Sequence, residues 1–89
     1  MQTRLVRIKC RQGLHARASA RIVETASRYR CRVSIANGLR SASARSIVAV
    51  MLLAAAFGST VRVETDGPDE QAAMAAIVAV LDDDTATRR

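Results

Sequence analysis

The chain has 89 residues, 49% of them hydrophobic and only 2% aromatic, which suits one domain with an aliphatic core and no deep substrate cavity. That apolar fraction excludes a disordered chain, two cysteines are too few for a disulfide scaffold, and a single histidine argues against a classical zinc site. The net charge of +6 is uneven, with twelve Arg or Lys against Glu24 alone in residues 1–63 and two Arg against seven acids in residues 64–89, so nucleic acid, an acidic membrane and an acidic protein all stay open as partners.

Val6, Ile8 and Cys10 alternate with Arg7, Lys9 and Arg11, the period-two pattern of a strand with one wet face. Gln12 and Gly13 break it. From Ala16 to Ser27 the spacing turns helical: Ser19, Ile22, Val23 and Ala26 share one face, and Arg17, Arg21, Glu24 and Arg28 line the other. Cys31, Val33 and Ile35 form a second strand, followed by Asn37-Gly38, a dipeptide that accepts positive φ and marks a hairpin. Its partner strand spans Leu39 to Ala42. The apolar run Ile47 to Phe57 reads as a buried helix, with Ser46 as N-cap and Gly58 as C-cap. Thr60 to Glu64 is a last strand. Gly67-Pro68-Asp69-Glu70 then starts a helix, with proline at the first helical position and acids in the first turn, ending near Leu81. Asp82 onward reads as a polar tail.

The order strand, helix, strand, strand, helix, strand, helix describes an α+β protein of two layers, an antiparallel sheet covered on one face by helices. From the pattern alone a ferredoxin-like strand order is the default. The start of the chain holds no apolar signal-peptide core, and the longest apolar run, at eleven residues, is too short to span a bilayer. A cytoplasmic location is therefore expected. Cys10 and Cys31 lack metal-ligand spacing and read as small core-facing thiols.

The one histidine stands where the first strand hands over to the first helix, within Gly13-Leu14-His15-Ala16-Arg17. The unpaired backbone N–H groups of Ala16 and Arg17 and the helix dipole make an anion site beside its ring. The Arg17 side chain adds a planar cation suited to phosphate oxygens. A histidine in this place is, by position alone, more often a cap or a solvent-facing residue. The alternative is a phosphoryl acceptor. No Mg²⁺ ligand set or nucleotide-binding loop is apparent, so a donor would have to bring the phosphoryl group on another protein.

Residues 13–20, GLHARASA, resemble the active-site signature of HPr, the histidine phosphocarrier family of the bacterial phosphoenolpyruvate-dependent phosphotransferase system. Residues 44–51, ARSIVAVM, are similar to the family's second helix and its start, and residues 67–70 and 74–77 to its last helix. The resemblance implies an open-faced sandwich with sheet order 1-4-2-3, in place of the ferredoxin-like order, as a single domain over residues 1–84 with a polar tail at 85–89. It implies a carrier rather than an enzyme, without cofactor or metal, in sugar transport or regulation. His15 would be phosphorylated on Nδ1 by enzyme I and would pass the group to a histidine of an enzyme IIA-type protein, with Arg17 stabilising the phosphate. Ile47, Val48 and Met51 match an apolar docking patch bordered by Ala20 and Arg21, and Arg17, Arg21, Arg45 and Arg28 would ring it for acidic partners. Ala18 stands where many members carry proline, a departure shared with some nitrogen-related branches.

Ser46 matches the serine that an HPr kinase/phosphorylase modifies in some members, although a helix N-cap explains it without one; the two roles are compatible. The rival from another class is a small basic nucleic-acid-binding domain. Against it stand the scarcity of aromatics for base stacking and the absence of an RNA-recognition signature or a Gly-x-x-Gly clamp. A regulatory paralogue acting by partner binding alone is a third reading. A monomer with no nucleic-acid or membrane partner is the expected form.

Overall fold

A computed structural model describes residues 1–9, 14–53 and 58–82. The elements are β1 (Gln2–Arg7), α1 (Ala16–Ala26), β2 (Arg32–Asn37), β3 (Arg40–Ser43), α2 (Ile47–Leu52), β4 (Thr60–Asp66) and α3 (Glu70–Leu81). The four strands form one antiparallel sheet in the order β1-β4-β2-β3, and the helices pack on one of its faces. The other face is open.

The ferredoxin-like order is thus overturned, and burial supplies the reason. Directly opposed residues in an antiparallel pair point to the same face. On the helix side, β4 contributes Val61, Val63 and Thr65, and β2 contributes Val33 and Ile35, all buried. These are the central strands. In β1 the same row is Gln2, Arg4 and Val6, with Arg4 exposed, and in β3 only Ala42 is buried. Strands with so little apolar surface are suited to the edges. The core is aliphatic, centred on Ile8, Ile22, Ile35, Val50, Val63, Met74, Ile77 and Leu81.

Several boundaries differ from expectation. The hairpin's two turn residues are Gly38 and Leu39, closed by the pair Asn37 and Arg40, so the turn sits one residue later than the Asn-Gly signal suggests. Gly38 has φ +64°, the requirement of the primed turns, and the Asn37 side chain is used elsewhere, donating to the Leu53 carbonyl at 3.0 Å. Strand β3 accordingly starts at Arg40. Pro68 lies before the N-cap Asp69 rather than inside α3, and Glu70 is the acid of the first turn.

Helix α2 is capped by Leu53, not Gly58; Gly58 (φ +86°) instead donates its N–H to the Ile8 carbonyl at 2.9 Å. Nor is α2 a buried helix. Only Val50 and the cap Leu53 are buried, because the helix lies against β3 and α1 on one side alone. Asp82 is not part of a tail: it caps α3, and its carboxylate lies 3.0 Å from Lys9 Nζ. The expectations for Cys10, Gln12, Gly13, residues 54–57, the domain limit at 84 and the tail at 85–89 fall outside the described residues. Cys31 is buried, and that burial raises its thiol pKa. No helix among the described residues is long and apolar enough to cross a membrane.

Candidate functional site

His15 is the N-cap of α1. Its backbone is extended (φ −80°, ψ −174°), and its Nδ1 accepts the N–H of Arg17 at 3.2 Å. An N-cap side chain satisfies one of the helix's four unpaired amides. Asn, Asp and Ser usually do this with oxygen; here an imidazole nitrogen does it. Accepting at Nδ1 requires the lone pair there, which assigns the ring proton to Nε2. Nε2 is buried and has no hydrogen-bond partner among the described residues.

The ring nitrogen that keeps its lone pair therefore points at the positive end of an 11-residue helix. Around it, Ala16 and Arg17 are exposed. No acidic residue stands in the first turn of α1, so nothing there opposes an incoming anion. Leu14, just before His15, is buried and anchors the segment to the core.

Helix α2 packs beside α1 and opens in the same manner. The Ser46 hydroxyl accepts the N–H of Ala49 at 3.2 Å. The residue is exposed, so its cap role and its accessibility coexist. Along α2, Ile47 is 42% exposed, Val48 66% and Met51 40%. Ala20 on α1 is exposed and Arg21 is half-buried. The expected patch residues thus lie on two adjacent helices. Leu52, 66% exposed, extends the apolar surface and was hidden in the sequence by its place inside an unbroken apolar run.

Two of the expected ring of arginines are occupied elsewhere. Arg45 donates from one guanidinium nitrogen to the carbonyls of Tyr29 and Cys31 at 3.2 and 3.1 Å, tying the start of α2 to the start of β2. Arg28 lies beyond the far end of α1, a helix about 16 Å long that begins at His15, and pairs with Glu24 at 2.9 Å. Arg45 keeps its charge in its bonds, since both acceptors are neutral carbonyls, and beside His15 the exposed Arg17 and the helix end add positive charge.

Two open concavities, about 460 and 430 Å³, are lined by sheet residues such as Arg32, Ser34 and Glu64, and by Arg40, Leu52 and Leu53; His15 belongs to neither. His15 itself is half-buried, beside the exposed Ala16 and Arg17.

Residues 2–83 match the family model described as the PTS HPr component phosphorylation site. A phosphocarrier protein HPr of Cupriavidus necator is 51% identical over 69 residues, 78% of each chain. Among solved structures, HPr from Thermoanaerobacter tengcongensis superposes with a TM-score of 0.86 at 32% identity, covering 91% of both chains. A phosphocarrier protein HPr from Bacillus anthracis also gives 0.86, at 30% identity, covering 90% of this chain and 95% of that one.

Proposed function

The chain belongs to the HPr family of phosphotransferase-system phosphocarriers, and from that premise we propose that His15 takes a phosphoryl group on Nδ1 from enzyme I and delivers it to a histidine of an enzyme IIA-type protein. The observation that carries this reading is the hydrogen bond from the Arg17 amide to His15 Nδ1. It leaves the proton on Nε2 and the nucleophilic lone pair at the helix N-terminus.

In the transfer, the bond from Nδ1 to phosphorus forms as the bond from the donor's histidine to phosphorus breaks, roughly in line. Nδ1 gives up its contact with the Arg17 N–H, and that N–H becomes a donor for a phosphoryl oxygen. The Ala16 amide and the Arg17 guanidinium add further donors on an exposed helix end. No large reorganisation is needed, since the amides are fixed before the group arrives. Exposure also keeps the stabilisation modest, as a relay requires: the group must leave for the next histidine.

Ile47, Val48 and Met51, with Ala20 and Arg21 at their border, form the docking surface for both partners. An apolar centre with basic neighbours suits brief contact with acidic proteins. Ser46, at the head of α2, is a candidate for regulatory phosphorylation by an HPr kinase/phosphorylase, and negative charge there would change the docking surface without touching His15. The relay places the protein in the cytoplasm.

Incubation with phosphoenolpyruvate and cognate enzyme I, followed by intact-mass measurement, tests the proposal. One acid-labile phosphoryl group is expected on the wild type and none on His15→Ala. No gain by the wild type would overturn it.

A further inference from the structure

We infer that Ser19 is a positioning residue for the acceptor ring, acting through the two peptide groups that flank His15; the inference rests on the reading of His15 as the acceptor. Ser19 is wholly buried on the inner face of α1, an unusual place for a polar side chain unless its hydroxyl is satisfied. Its Oγ donates to the Leu14 carbonyl at 3.1 Å, and its backbone N–H donates to the His15 carbonyl at 2.9 Å.

These two carbonyls belong to consecutive peptide groups, one before the α-carbon of His15 and one after it. Peptide groups are planar, so holding both carbonyls fixes φ and ψ of His15 and hence the direction of its Cα–Cβ bond. Only the two side-chain torsions remain, and the contact between Nδ1 and the Arg17 N–H settles them. The backbone bond alone is the ordinary first bond of a helix and any residue could make it. The hydroxyl bond is different. It reaches back five residues, outside the helix, and holds the segment leading into the histidine. Leu14 contributes a second anchor through its buried side chain. Small rotations of the peptide before His15 would swing Nδ1 off the helix axis, and group transfer is sensitive to misplacement on the scale of an ångström.

The test compares Ser19→Ala with Ile22→Val, a truncation one turn further along the same buried face, in ¹⁵N-labelled protein. Three readouts are taken: the imidazole Nδ1 and Nε2 shifts, the Arg17 amide proton shift, and the initial rate of phosphoryl acceptance from enzyme I. Ser19→Ala is expected to move the Arg17 amide upfield, weaken the tautomer preference of His15 and slow acceptance about tenfold, while Ile22→Val leaves all three as in the wild type. Unchanged shifts and rate in Ser19→Ala would overturn the inference, as would equal changes in both variants, which would mark a general effect of core loss. If wild-type protein accepts no phosphoryl group, the functional reading fails, and the shifts alone still decide whether Ser19 orients the ring.

Discussion

Gly67 and Cys31 meet backbone to backbone: a β-carbon built on Gly67 would lie 2.8 Å from the Cys31 α-carbon and 2.9 Å from the Arg30 carbonyl oxygen. With φ at +146°, Gly67 also occupies a conformation that other residues rarely adopt. The contact seats the turn between β4 and α3 against the start of β2, and the Asp69 carboxylate reinforces it by accepting the Arg30 N–H at 2.8 Å. Gly67→Ala should therefore cost about 2–4 kcal/mol of stability, measured by denaturant unfolding, whereas Gly38→Ala, with open space around it, should cost less.

The two duties of His15, cap and acceptor, should separate by substitution. His15→Ala removes the acceptor for the Arg17 amide and should cost about 1 kcal/mol, or a melting temperature about 4–8 °C lower for a domain of this size. His15→Asn restores an N-cap oxygen and should recover most of that loss. Neither variant should gain a phosphoryl group.

Ser46→Ala should destabilise by about 1 kcal/mol through the lost bond to the Ala49 amide, and Ser46→Asp should not, because aspartate is a good cap and its charge suits a helix N-terminus. Calorimetry checks both. Transfer kinetics should show the reverse preference, with Ser46→Asp slower than Ser46→Ala, since the added charge lies beside Ile47 and Val48.

Replacing Val48 by glutamate should lower kcat/KM for acceptance from enzyme I by about tenfold or more. Val48 is mostly exposed, so its melting temperature should hold. A large loss of stability with unchanged kinetics would remove Val48 from the docking surface.

The Glu70 carboxyl is held below the usual carboxylate range by hydrogen bonds from the Met1 ammonium, first, and from the Gly67 amide. A carboxyl lowered in the folded state stabilises above its unfolded value of 4.5 and loses that contribution as pH falls through the folded value. Melting temperature should thus decline on acidification below about pH 4.5, and Glu70→Gln should show a shallower decline.

The elements were readable because their periods are plain: Val33 and Ile35 alternate, and Ser19, Ile22 and Ala26 fall on one helical face. Strand order was not. Both candidate orders share one sequence of elements, and the choice turned on Arg4 and Gln2 facing the helix side of β1, a tertiary fact that only the resemblance anticipated. The Asn37-Gly38 signal gave the hairpin but not its register, because the Asn37 amide is committed to Leu53. In the site, His15 at the start of α1 was visible from Gly13 and the change of period. The tautomer, set by the Arg17 amide, was not, and neither was the second use of Ser19. A serine on an apolar helical face looks like filler until the Leu14 carbonyl is seen beneath it. The partners of Arg28 and Arg45 were hidden for a similar reason: charge is legible in a sequence, and the groups a guanidinium meets, Glu24 for one and the Tyr29 and Cys31 carbonyls for the other, are not.

The most direct measurement is a ³¹P–¹⁵N correlation on protein charged by enzyme I and phosphoenolpyruvate, with the histidine ring labelled. A single phosphorus coupled to Nδ1 of His15, together with a shifted Arg17 amide, is the predicted result. Phosphorus coupled to Nε2, or an Arg17 amide that does not respond, would contradict the account.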